Sequence, residues 1–113
     1  MNTKGDYMER KGEMTKRLLG ESFKELMQKK PFDKITIKMI TDGAGVIRPT
    51  FYNYFQDKYE VMEWLLEQDV FIGARELIHM NMQREAVKMI FRKLEAERQY
   101  YVRAFEVEGQ NSF

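Results

Sequence analysis

Between Ile35 and Phe55 the chain fits two helix starts and one turn glycine into a short stretch, and nothing else in it constrains the fold as tightly. Thr36 reads as the N-cap of a short helix, Ile37–Ala44, because its hydroxyl can accept from a first-turn N–H. Ile35 and Ile40 stand at the N′ and N4 positions of a hydrophobic staple across that cap. Gly45 follows and can take the left-handed conformation that closes a helix. Val46 and Ile47 cross the turn. A third helix is expected over Arg48–Tyr54, with Pro49 in its first turn, where the missing N–H costs nothing. Gly43, inside the short helix, is expected to weaken it by about 1 kcal/mol on intrinsic propensity.

The flanks are helical too. Upstream, Leu18, Leu19, Phe23, Leu26 and Met27 follow the i, i+3, i+4 rhythm of an amphipathic helix over residues 15–30, with Thr15 as N-cap and Pro31 as terminator. Downstream, Asp57-Lys58-Tyr59-Glu60 has the form of a capping box and opens a long fourth helix. Its expected buried stripe is Tyr59, Met62, Leu65, Leu66, Val70, Gly73 and Leu77. After a break near Asn81, a fifth helix is expected over residues 82–107, burying Val87, Ile90, Phe91, Leu94, Tyr101, Val102 and Phe105. The fold class is therefore all-α: a three-helix helix-turn-helix domain over residues 1–58 (core 15–58), then two longer helices in residues 59–113. That second segment reads as part of a ligand-binding or dimerisation domain.

Composition narrows the function. The chain has 113 residues, 43% hydrophobic and 33% charged, and no cysteine. That excludes a disulfide framework and a thiolate metal site, and no stretch approaches the run of apolar residues that spans a bilayer. The opening residues carry no apolar secretory segment, and a cytoplasmic location is expected. Residues 1–58 hold twelve Lys/Arg against eight Asp/Glu, while residues 59–113 hold seven against ten. A basic N-terminal half suits a polyanion. There is no nucleophile–base pair, no Gly-rich phosphate loop and no second histidine beside His79, so neither an enzyme nor a cofactor or metal site is expected.

On a helical wheel Phe51 and Phe55 share one side of the third helix, and Asn53 lies opposite, near Pro49 and Thr50. The phenylalanines can anchor the helix while the other face meets a duplex. Arg48, at its amino end, can donate in bidentate fashion to guanine O6 and N7, and Asn53 can pair with adenine N6 and N7. Pro49 offers an apolar contact to a thymine methyl. Thr36, Thr50, Tyr52, Tyr54 and Lys58 are single-point donors suited to phosphates, Thr36 and Lys58 standing at helix amino ends that favour anions. Each also has a plainer reading: Thr36 as a cap, the tyrosines as packing residues, Lys58 as a solvated charge.

The series Ile35-Thr36, Ala44-Gly45-Val46, Thr50-Phe51-Tyr52-Asn53-Tyr54-Phe55 and Lys58 resembles the signature of the TetR family of transcriptional regulators. The resemblance covers about half the chain. It implies duplex DNA as partner, a homodimer on a pseudo-palindrome, repression, and in longer members a small-molecule inducer. It also implies positioning roles for the residues at the phosphate-facing positions, Lys58 among them. Ile47 stands where the family commonly has a small polar cap, Asn53 where an aromatic is frequent, and Gly43 where alanine is usual. The C-terminal half is loosely similar to TetR-like proteins described as dihydroxyacetone kinase regulators. Dimerisation is expected through the two long helices, with Trp64, Phe71, Ile78, Met89 and Tyr100 as exposed contacts. The competing reading is a helical interaction module that keeps the scaffold without binding DNA.

Overall fold

The computed structural model describes residues 4–111, and among them every regular element is helical. The elements are α1 (Lys4–Met27), a 3₁₀ turn (Phe32–Lys34), α2 (Ile37–Ala44), α3 (Arg48–Tyr52), α4 (Lys58–Leu66), a π turn (Glu67–Phe71), α5 (Ile72–His79), α6 (Gln83–Ala96) and α7 (Arg98–Asn111). They form two compact units, the first ending at Val61 and the second beginning at Met62.

In the first unit α1 is already helical at Lys4, well before the expected start after Thr15. Thr15 is therefore not a cap: its hydroxyl donates back to the Lys11 carbonyl at 2.9 Å, a mid-helix arrangement. Nothing between residues 4 and 15 breaks a helix except glycine, which lowers propensity without stopping it. Leu19, Phe23 and Met27 of α1 are fully buried, together with Ile40 of α2 and Phe51 of α3.

The cap chemistry is local and matches expectation. Thr36 Oγ1 accepts from the Met39 N–H at 3.1 Å, and Ile35 and Ile40, the two ends of the staple, are both buried. Gly45 has φ 74° and ψ 30°. Its N–H donates to the Asp42 carbonyl and that of Val46 to Thr41, the paired bonds of a Schellman closure.

Gly43 has a tertiary reason to lack a side chain. A Cβ there would stand 2.3 Å from Ser22 Oγ. Ser22 is buried and donates to the Ile40 carbonyl at 2.8 Å, joining α1 to α2. Gly43→Ala would force the hydroxyl off that bond, at about 1–3 kcal/mol for buried groups left unpaired, against the propensity gain of about 1 kcal/mol. The single variant is expected to lower stability by about 1 kcal/mol. In Ser22→Ala/Gly43→Ala the clash with the hydroxyl is gone and only a 3.3 Å contact with the Cβ of residue 22 remains, so part of the loss returns as a coupling between touching sites. Urea melts of the four proteins in the cycle read this directly. A Gly43→Ala protein as stable as the parent would show that the contact limits nothing.

In the second unit, α4 passes through the π turn into α5, where the Ile72 N–H reaches back five residues to the Glu67 carbonyl. Asn81 ends this run as expected. It adopts φ 59°, and the N–H groups of Asn81 and Met82 bond the Ile78 and Leu77 carbonyls. The single fifth helix, however, is two. Glu97 leaves the helical region at φ −125°, ψ 44°, separating α6 from α7. That one non-helical residue shifts the phase of the apolar stripe beyond it. Tyr100, Tyr101 and Ala104 are buried, whereas Val87, Phe91, Val102 and Phe105 are exposed rather than core. Tyr100, expected at an exposed interface, is 1% exposed. Gly73 lets Met89 approach: a Cβ there would meet its sulfur at 3.1 Å.

Candidate nucleic-acid interface

α3 is a five-residue helix held by one buried side chain. Phe51 is fully buried, its ring centroid 5.7 Å from that of Phe55 and 5.4 Å from that of Tyr52. The helix ends at Tyr52, two residues sooner than expected, though the Tyr54 and Phe55 N–H groups still bond the Phe51 carbonyl. Ile47 is the N-cap and offers no side-chain bond. With the phenylalanines turned in, Arg48, Pro49, Tyr52 and Asn53 are exposed and Thr50 is half-buried.

Arg48 and Tyr52, four residues apart, hold each other. An Arg48 terminal nitrogen donates to the Tyr52 hydroxyl at 3.3 Å, and the guanidinium carbon lies 5.5 Å from the ring centroid. Both side chains stay at the surface, so the guanidinium is oriented while most of its donors remain available. Thr36 is exposed at the start of α2. Its oxygen serves the cap, which leaves its O–H to donate outward.

Two of the expected phosphate donors are turned inward. Tyr54 is half-buried, and its ring edge lies 3.3 Å from where a Cβ of Gly12 would be. Gly12 thus gives α1 its close approach to the segment after α3, a role that could be read only once α1 was known to extend so far. Lys58 is also half-buried. Its ammonium donates to the carbonyls of Phe32 at 2.5 Å and Ile35 at 2.9 Å, and lies 4.2 Å from the Phe32 ring centroid. Burial pulls its pKa below the usual lysine range, with Asp33 opposing. Beside it, Asp57 Oδ1 accepts from the Glu60 N–H at 3.0 Å, and Glu60 Oε1 accepts from the Gln56 N–H at 2.9 Å. This is a capping box with its return bond displaced one residue outward.

The second unit holds a groove of about 570 Å³ lined by Met62, Leu66, Phe71, Tyr100, Tyr101 and Phe105, with Glu63, Glu67 and Glu108 on its wall. Glu67 is bonded to Arg75, which holds its carboxyl below, and the guanidinium above, their ordinary ranges. Among the described residues no His/Cys/Asp/Glu group could hold a metal ion, and no helix is long and apolar enough to cross a membrane.

Residues 24–65 match the model of the family described as bacterial regulatory proteins, tetR family. The chain is also similar to the HTH-type dhaKLM operon transcriptional activator DhaS of Lactococcus lactis subsp. lactis (strain IL1403). The two are 29% identical over 103 residues, covering 88% of this chain and 53% of the relative. The chain therefore spans about half the length of that relative.

Proposed function

We propose that this chain binds duplex DNA in the cytoplasm as a sequence-specific transcriptional regulator, a reading supported by the match of residues 24–65 to the model of the bacterial regulatory proteins of the tetR family. The observation that carries the reading is α3, a helix whose one buried residue is Phe51 and which presents Arg48 and Pro49 to solvent at its amino end and Asn53 at its C-cap. Arg48 and Asn53 read base edges, Pro49 meets a thymine methyl, and Thr36, Thr50 and Tyr52 contact phosphates that set the register. One such helix covers few base pairs, so the working form is a homodimer on a pseudo-palindrome. The groove of the second unit has the volume of a small-effector site. The family resemblance implies repression, whereas the relative is named an activator. A helix-turn-helix serves either sign, and a promoter-reporter assay reads which one applies.

Fluorescence anisotropy on a random duplex pool over a salt series, followed by selection of the tightest sequences, tests the reading. Affinity should fall steeply with salt, and the recovered sequences should contain two half-sites related by a dyad. Absence of duplex binding at low salt would sink it and favour the helical interaction module.

A further inference from the structure

The carbonyls of Phe32 and Ile35 bracket the chain just ahead of the Thr36 cap, and Lys58 is the first residue of α4. Ile35 and Lys58 stand 23 positions apart, and the segment between them contains the whole helix-turn-helix. A cation at a helix amino end is disfavoured by the helix dipole, and this one is half-buried as well. It is held there by two main-chain acceptors and an aromatic face. Phe32 is the hub of the arrangement. Its ring meets Phe23 of α1 edge-on at 6.2 Å and Tyr59 of α4 at 4.7 Å. With two of three N–H donors directed at main-chain carbonyls, the ammonium has one left.

We propose that Lys58 is a positioning residue for the recognition helix. It ties the start of α4 to the chain entering α2, closes the helix-turn-helix at its base, and thereby sets how α3 is presented. The proposal rests on the DNA-binding reading above for its consequence but not for its geometry. Both ends of the segment are fixed to one point, so α2 and α3 move as one body and not as a loop hinged at Ile35. Phe32, which carries no charge and donates nothing to DNA through its side chain, belongs to the same latch.

The test uses the full chain as wild type, Lys58→Met and Phe32→Leu, at a temperature where circular dichroism shows all three folded. Anisotropy is followed on a 30-bp duplex carrying the selected site, at several KCl concentrations. Both variants should bind about fivefold or more weakly, a modest coupling between sites, with log–log salt slopes parallel to wild type. A phosphate ligand behaves otherwise: Lys58→Met alone would weaken binding and lower the slope by about one per subunit. That outcome, or wild-type affinity in either variant, overturns the proposal. A second readout needs no DNA. In Lys58→Met the Met39 and Ile40 amides at the start of α2 should exchange with solvent faster, while those of Leu19 and Phe23 in α1 are unchanged. Equal acceleration at all four would mean general destabilisation and would also overturn it. If wild type binds no duplex, the functional reading fails and amide exchange alone decides the latch.

Discussion

Phe51→Ala is expected to lower the stability of the N-terminal unit by about 3–5 kcal/mol. Phe51 is fully buried, and α3 is five residues long, far below the length at which a helix persists in water without tertiary support. No second residue of α3 is buried, so its place depends on that side chain. A unit of this size sits near the lower limit for an independent core, with total stability of about 5–15 kcal/mol at best. The variant should therefore melt at much lower urea and lose duplex binding with it. Ile47→Ala, one turn earlier, is the contrast. Ile47 is 68% exposed, and its truncation should change stability by less than about 0.5 kcal/mol. Far-UV circular dichroism across a urea series measures both. Coincident melts would mean that α3 is held by its flanking turns and not by the Phe51 contact.

That contrast also marks which parts of the structure were legible in the sequence. Thr36, Gly45 and Asn81 could be read in advance because each acts on the few residues beside it: a cap oxygen three residues from its donor, and two left-handed closures. The Phe51/Phe55 side of α3 was legible for a related reason, since periodicity separates inward from outward faces without reference to the partner. What escaped were features whose cause lies elsewhere in the chain. The early start of α1 has no local marker: Gly12 lowers helix propensity there, and the Tyr54 ring that packs against it comes from far along the chain. Gly43 reads as a propensity defect until Ser22 Oγ is found where its side chain would be. Glu97 carries no stop signal, and the phase of α7 beyond that break leaves Val102 and Phe105 exposed. Lys58 was legible as a position in a motif. Where its ammonium points is set by carbonyls 23 and 26 residues away, and no local pattern encodes that.

Arg48→Ala and Asn53→Ala are expected to cost about 1–3 kcal/mol each on the preferred duplex, a loss of roughly 5- to 150-fold. Selectivity at the corresponding base pair should fall with it. Both side chains are exposed, so neither loss should come with a comparable change in melting. Their environments differ in a way that predicts different second-order behaviour. Arg48 is pre-oriented by Tyr52, through a bond at 3.3 Å and the ring beneath it. Arg48→Lys keeps the charge but loses the planar fork that matches guanine O6 and N7, so it should retain non-specific affinity while losing discrimination. Tyr52→Phe keeps the ring and removes the acceptor, and it should weaken all duplexes alike by a small factor. Asn53 stands at the C-cap of α3, and Asn53→Asp should reverse its preference, because a carboxylate accepts from cytosine N4 and repels the adenine N7 acceptor. Binding of each variant to the selected duplex and to single-base-pair substitutions of it separates these effects. Should Arg48→Lys lose affinity for every duplex equally and keep its base preference, Arg48 would be a phosphate contact and the reading of bases would belong to other residues of α3.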